Sequence, residues 1–167
     1  MLAKLGAMDV YRNEDLPRGC AHFEASVDLP AIPEEAFALI CAVEKWPVWL
    51  PLVRSAERRG SGSLAVGDEI LLRLGEPRDE EQLFEVRRIV GNHCLTLVGA
   101  YSTRRRIDFR LERQSSRARL RMAWLYPTYH GAMGSAVDRL LRGRTVASLL
   151  ERAAQQFRGL LEASLVA

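Results

Sequence analysis

The chain has 167 residues, a length that suits one domain with a single core, and its 48% hydrophobic and 27% charged residues are ordinary for a globular protein. Its net charge of +3 is too small to argue for a nucleic-acid or anionic-lipid partner, and arginine supplies nearly all of the positive charge, with Lys4 and Lys45 the two lysines. No run of about 18 apolar residues is long enough to span a bilayer, so no integral membrane segment is expected.

Residues 1–20 read as an N-terminal leader ahead of a domain over residues 21–167. The leader carries Asp9, Arg12, Glu14 and Asp15 and no sustained apolar core, which makes it a poor signal peptide and favours a cytoplasmic location. The first strand is read over residues 21–29, where Phe23, Ala25, Val27 and Leu29 alternate with His22, Glu24, Ser26 and Asp28. Pro30 stops it. Pro33 then sits where a first-turn proline belongs, and Glu34 and Glu35 complement the positive end of a helix whose buried side is Ala36, Phe37, Leu39, Ile40 and Val43. Pro47 and Pro51 bracket a second short helix, Trp46 to Leu50. Its two tryptophans share one side, as core anchors or as caps over a pocket.

Further strands are expected near residues 52–59, 68–74, 82–90, 93–101, 105–113 and 117–126. Gly60-Ser61-Gly62-Ser63 and Gly75-Glu76-Pro77 are breaker clusters, and Gly91-Asn92 and Gln114-Ser115 suit tight hairpins. A long amphipathic helix closes the chain from Ala132 to Ala163, with Val146, Leu149, Leu150, Ala153, Phe157, Leu160 and Leu161 on one stripe. Gly134 and Gly143 interrupt it, marking a bend or making room for a ligand. A curved meander followed by a long helix leaves a space between sheet and helix where a small apolar ligand fits.

The order strand, proline, helix, WPxWLP resembles the START-like, polyketide cyclase/dehydrase superfamily. The carrying segments run from Ala25 to Ile40 (ASVDLPAIPEEAFALI), from Glu44 to Val53 (EKWPVWLPLV) and from Gly134 to Leu141 (GSAVDRLL). The resemblance implies an α+β helix-grip fold: a seven-stranded antiparallel sheet wrapped around the long C-terminal helix, with two short helices after the first strand. It also implies a cavity that often holds an apolar ligand. The superfamily includes lipid and quinone carriers, aromatase/cyclases and a ribosome-association toxin, so it leaves open a carrier, a cyclase-type enzyme or an interaction protein.

Hairpin register sharpens the expected cavity. A turn at Gly91-Asn92 sets Val86 opposite Leu97, a loop at Ser102 to Arg104 sets Tyr101 opposite Arg105, and a turn at Gln114-Ser115 sets Phe109 opposite Leu120. The inner rows are then Val86, Leu97, Phe109 and Leu120; Phe84, Gly99, Ile107 and Met122; and Gln82, Tyr101, Arg105 and Trp124. These twelve residues form the expected ligand-binding set, with Gly99 leaving space on its row. Arg105 must reach solvent, pair with a carboxylate or meet a ligand oxygen, because an isolated buried guanidinium is expensive. Arg88 has the same inward parity. The same register puts Glu112 beside Arg117, Asp108 beside Arg121 and Arg110 beside Arg119 on the outer face. That face lacks the aromatics that stack nucleic-acid bases.

Cys20, Cys41 and Cys94 are odd in number and far apart, so neither a disulfide framework nor a CxxC metal site is suggested. His22, His93 and His130 show no metal-ligand spacing, and no metal or cofactor is expected. No nucleophile stands out. Tyr126, Tyr129 and His130 either assist proton transfer or cover the cavity end. The expected partner is a small hydrophobic molecule. A homodimer is admitted but not required by the sequence.

Overall fold

The computed structural model describes residues 19–75, 79–128 and 132–166, with side chains omitted at 132–143, 165 and 166. The leader residues 1–18, Glu76, Pro77, Tyr129, His130 and Gly131, and the surroundings of Gly134, Leu140, Leu141 and Gly143, lie outside that description.

Strand β1 (Cys20–Leu29) leads into helix α1 (Pro33–Cys41), a 3-10 turn (Val43–Lys45) and helix α2 (Trp46–Trp49). Strands β2 (Val53–Arg59), β3 (Glu69–Leu74), β4 (Glu80–Val90), β5 (Cys94–Gly99), β6 (Ser102–Gln114) and β7 (Arg117–Pro127) follow, and helix α3 (Ala132–Val166) ends the chain. The seven strands form one antiparallel sheet in the order β1-β7-β6-β5-β4-β3-β2. Helix α3 packs most closely on β1. This is the expected α+β helix-grip architecture.

Local chemistry accounts for the entry to the core. Pro33 occupies the first turn of α1, with Glu34 and Glu35 beside it, although Ile32 provides no side-chain cap. Helix α1 buries Ala36, Phe37 and Ile40. Trp46 and Trp49 are both fully buried and meet Phe109 edge-on, at ring-centroid distances of 5.2 and 5.8 Å. Trp49 also meets Phe157 of α3 at 4.8 Å. The two tryptophans are therefore core anchors that fix α2 between sheet and helix. The α3 stripe buries Val146, Leu150, Ala153, Ala154, Phe157 and Leu161, the spacing of one helical face.

Face parity follows the alternation, but the register departs from expectation at three hairpins. Val86 does face Leu97, and Phe84 faces Gly99. A bulge between Val86 and Arg88 then shifts the pairing, so that Val90 faces Cys94 and the turn uses Gly91, Asn92 and His93, with Asn92 at φ 60°. The bulge turns Ile89 toward the core opposite Leu95, and Arg88 falls opposite Thr96 instead of pointing inward. A second irregularity at Gly99 pairs it with Ser102, so β6 starts earlier than expected. Leu97 consequently meets Ile107, and Leu95 meets Phe109. The last hairpin turns on Ser115-Ser116, with Ser115 at φ 53° and Gln114 opposite Arg117. Phe109 thus faces Met122, Leu111 faces Leu120 and Ile107 faces Trp124. Because the register corrections between β5, β6 and β7 are two-residue steps, those inner residues stay inside while their rows slide.

The outer face changes partners for the same reason. Glu112 lies opposite Arg119, Asp108 opposite Ala123 and Arg110 opposite Arg121. Asp108 is buried, accepts the Thr96 hydroxyl at 2.7 Å and pairs with its own-strand neighbour Arg106. Arg121 reaches Glu112 at 3.5 Å, and Arg119 crosses to Asp28 of β1 at 2.6 Å. Arg106, Arg119 and Arg121 on this face are thus spent on ion pairs within the sheet.

Candidate functional site

Strand β4 outruns β5. Residues Glu80 to Leu83 pair with β3, whereas the β4–β5 ladder begins only at Phe84 and Gly99. Beyond Gly99 the chain turns at Ala100-Tyr101 into β6, held by a hydrogen bond from the Ala100 amide to the Leu83 carbonyl at 2.8 Å. The mismatch leaves a notch in the end of the sheet, a cleft of about 400 Å³ lined by Arg59, Leu71, Glu80, Glu81, Gln82, Leu83, Gly99, Tyr101, Ser102 and Arg105. That volume lies within the range of small-molecule sites. By strand alternation Gln82, Gly99 and Arg105 belong to the inward face, and Leu71, Glu81 and Leu83 to the outward face. The cleft therefore cuts through the sheet's end, with both faces contributing to its walls.

A polar trio occupies its inner side. The Arg105 guanidinium lies 3.2 Å from a Glu80 carboxylate oxygen, with side-chain exposures of 17% and 32%. The same oxygen accepts a hydrogen bond from the amide of Gln82, itself buried. The Arg105 stem crosses Gly99: a Cβ at Gly99 would stand 2.8 Å from the Ser102 carbonyl oxygen and 3.1 Å from the Arg105 Cβ. The space that Gly99 opens on its row is filled by this arginine and the hairpin backbone.

Below the notch the inward face is apolar. Val86, Leu97, Ile107 and Trp124 form one row, continued by Phe23 of β1, whose ring stacks on Tyr126 at 6.0 Å. Of the twelve residues expected to form the site, Phe84, Val86, Leu97, Gly99, Ile107, Phe109, Leu120, Met122 and Trp124 are buried, and Gln82 and Arg105 stand at the cleft. Tyr101 does not share the inner row. It is 90% exposed, because it sits in the turn between β5 and β6 and its ring lies at the outer rim of the cleft. Phe109 sits at the opposite, tryptophan-packed end of the interior.

Glu80 is the cleft residue that sequence reasoning missed. Placing the start of β4 at residue 82 left it out, although it shares the parity of Gln82 and Phe84 and stands where an inward arginine needs a carboxylate. Other reactive groups are elsewhere. His22 faces Glu24 at 3.6 Å, and the His93 Nδ1 lies 3.0 Å from the Leu111 carbonyl oxygen. Burial pushes the Cys20 and Cys41 thiols up from their ordinary value, which keeps them protonated and weakly nucleophilic.

The sheet, the C-terminal helix and the short helices after β1 together form a START-like helix-grip fold. Solved structures that share it at low sequence identity include the following three. The Zhui aromatase/cyclase from Streptomyces sp. R1128 aligns at a TM-score of 0.66 and 14% identity, over 87% of this chain and 96% of that one. A START superfamily protein from Mycobacterium smegmatis aligns at 0.64 and 16%, over 86% and 98%. The di-domain ARO/CYC StfQ from the steffimycin biosynthetic pathway aligns at 0.67 and 11%, over 92% of this chain and 54% of its own length. No protein family model matches the sequence, and no curated protein matches it. No described helix is long and apolar enough to cross a membrane.

Proposed function

We propose that this protein binds a small hydrophobic ligand, such as a lipid, quinone or polyketide-like molecule, between the sheet and α3. The end notch serves as its mouth. The observation that carries the reading is the notch itself: a cleft of about 400 Å³ with a fixed polar trio on one side and Leu71 and Leu83 on the other, above an apolar inward face. A ligand with an oily body and a polar end matches that lining.

An apolar fluorophore, N-phenyl-1-naphthylamine, tests it. Its Kd should be on the order of 1–10 μM. Leu83→Trp, which fills the notch from the outward face, should weaken binding at least about ten-fold while the unfolding midpoint stays put. Undiminished affinity in folded Leu83→Trp protein refutes the notch as the mouth. Native mass spectrometry of the purified protein should show a co-purifying small molecule.

The likeness to two aromatase/cyclases supports a second reading, a cyclase-type enzyme acting in the same chamber. That reading requires a donor and a base within reach of one substrate, and Arg105 and Glu80 are the adjacent pair available among the described residues. Turnover of a polyketide-like substrate that Glu80→Gln abolishes without loss of binding would favour it.

A further inference from the structure

We propose that the Glu80–Arg105 pair makes the notch selective for an uncharged amphiphile, one whose polar end is a hydrogen-bond acceptor such as a ketone, ester or hydroxyl, and that it discriminates against carboxylates. The inference rests on the notch being the ligand mouth.

An arginine at the rim of an apolar chamber ordinarily suggests an acidic ligand. Here the guanidinium is already neutralised. Its stem is fixed by packing over Gly99, and its head lies 3.2 Å from Glu80. Glu80 is not a loose counter-ion, because the same oxygen also accepts the Gln82 amide. To reach Arg105, an anionic ligand must either displace a carboxylate held from two sides or sit beside it, so that two like charges share one guanidinium. Both arrangements disfavour the anion. An uncharged acceptor takes a hydrogen bond at the trio and leaves the pair in place.

The rest of the cleft has the same balance. Its lining holds two arginines and two glutamates, so it carries no net formal charge. Arg59 bridges to Glu69 at 3.7 Å, and Glu81 lies opposite Arg73 in the β3–β4 pairing. The remaining walls offer apolar surface from Leu71 and Leu83 and the exposed ring of Tyr101. Among the described residues, the lining carries no excess of positive charge that would draw in an acid.

The test is competition against bound N-phenyl-1-naphthylamine by 2-undecanone and by decanoate at pH 7.5, in wild-type protein and in Glu80→Gln and Glu85→Gln. The ketone should displace the probe from wild type at a concentration at least about ten-fold below that of decanoate. Glu80→Gln should bring decanoate to within about two-fold of the ketone and leave the ketone's own value unchanged. Glu85→Gln removes the same charge from the same strand outside the cleft lining, where the carboxylate pairs with Arg87, and should preserve the wild-type ratio. Decanoate competing as well as the ketone in wild type overturns the proposal, as does a ratio unmoved by Glu80→Gln or moved equally by Glu85→Gln. If the fluorophore binds none of the three proteins, the ligand-binding reading fails and the selectivity fails with it. If probe binding is retained but Glu80→Gln does not bring decanoate to within about two-fold of the ketone, the selectivity alone fails.

Discussion

Trp46 and Trp49 offer a matched pair of substitutions with opposite expected outcomes. Both are fully buried on α2, and both rings meet Phe109. They differ at one atom. The Trp46 indole donates to the Ile40 carbonyl at 2.8 Å, whereas the Trp49 Nε1 is buried with no hydrogen-bond partner among the described residues. Tryptophan to phenylalanine removes about 40 Å³ at either site, which at ~24 cal/mol per Å³ costs roughly 1 kcal/mol. At Trp46 the substitution also breaks a buried hydrogen bond and strands a carbonyl, adding about 1–3 kcal/mol. At Trp49 it deletes an unsatisfied donor, which returns a similar amount. Trp46→Phe should therefore lose roughly 2–4 kcal/mol, and Trp49→Phe should be neutral to stabilising.

Urea unfolding, followed by circular dichroism so that loss of a tryptophan does not bias the signal, reads the two midpoints at constant m. A gap of at least about 2 kcal/mol between the variants is expected, with Trp46→Phe the weaker. In a chain of this size that corresponds to a difference of roughly 4–8 °C in Tm. Equal midpoints, or the reverse order, would refute the assignment of these two indoles.

Three further outcomes follow from local geometry. Gly99→Ala should destabilise by about 1–3 kcal/mol in the same assay, because its Cβ would press on the Ser102 carbonyl 2.8 Å away, and backbone cannot move as a flexible side chain does. Ser115→Gly should stabilise by about 0.5–1 kcal/mol, since Ser115 holds φ 53° in the β6–β7 turn, a region that glycine enters without steric penalty. The hydrogen bond from Arg119 holds the Asp28 carboxyl below its ordinary value, against a smaller opposing effect of desolvation. A depressed folded-state value means that this contact stabilises the folded chain above the unfolded carboxyl's pKa of about 3.9 and is lost as pH falls through the lower, folded one. Arg119→Met should therefore return Asp28 to the ordinary aspartate range in a carboxyl-detected NMR titration. An Asp28 titration that does not move would disprove the link.

Face parity was legible in the sequence because a strand's side chains repeat every two residues. Phe84, Val86, Leu97, Ile107, Phe109, Leu120, Met122 and Trp124 are all inside, as alternation requires. Register was less legible, because it depends on how many residues each turn consumes, and Ser115-Ser116 and Gln114-Ser115 read alike as turn formers. The β4 bulge did leave a trace. Arg87-Arg88 stands between the inward residues Val86 and Ile89, and two consecutive polar residues in an alternating strand mean that one is extra. Glu80 left a weaker one. The expected β4 starts at residue 82, so the carboxylate that pairs with Arg105 went unassigned.

Gly99 shows why the polar notch could not be read from the rows alone. A glycine among large inward neighbours has two physical meanings: vacant space for a guest, or close passage of another part of the chain. Composition is the same in both cases, and the distinction lies in what a Cβ would touch. Here it would touch the Ser102 backbone and the Arg105 stem, so the glycine is the seat over which the arginine crosses. Once the stem is seated, the guanidinium reaches Glu80, and Gln82 holds that carboxylate from the other side. The charge that looked like an anchor for an acid is thereby cancelled by the geometry of the hairpin. For the ligand proposed above, what remains is hydrogen-bonding capacity without net charge, beside Leu71 and Leu83.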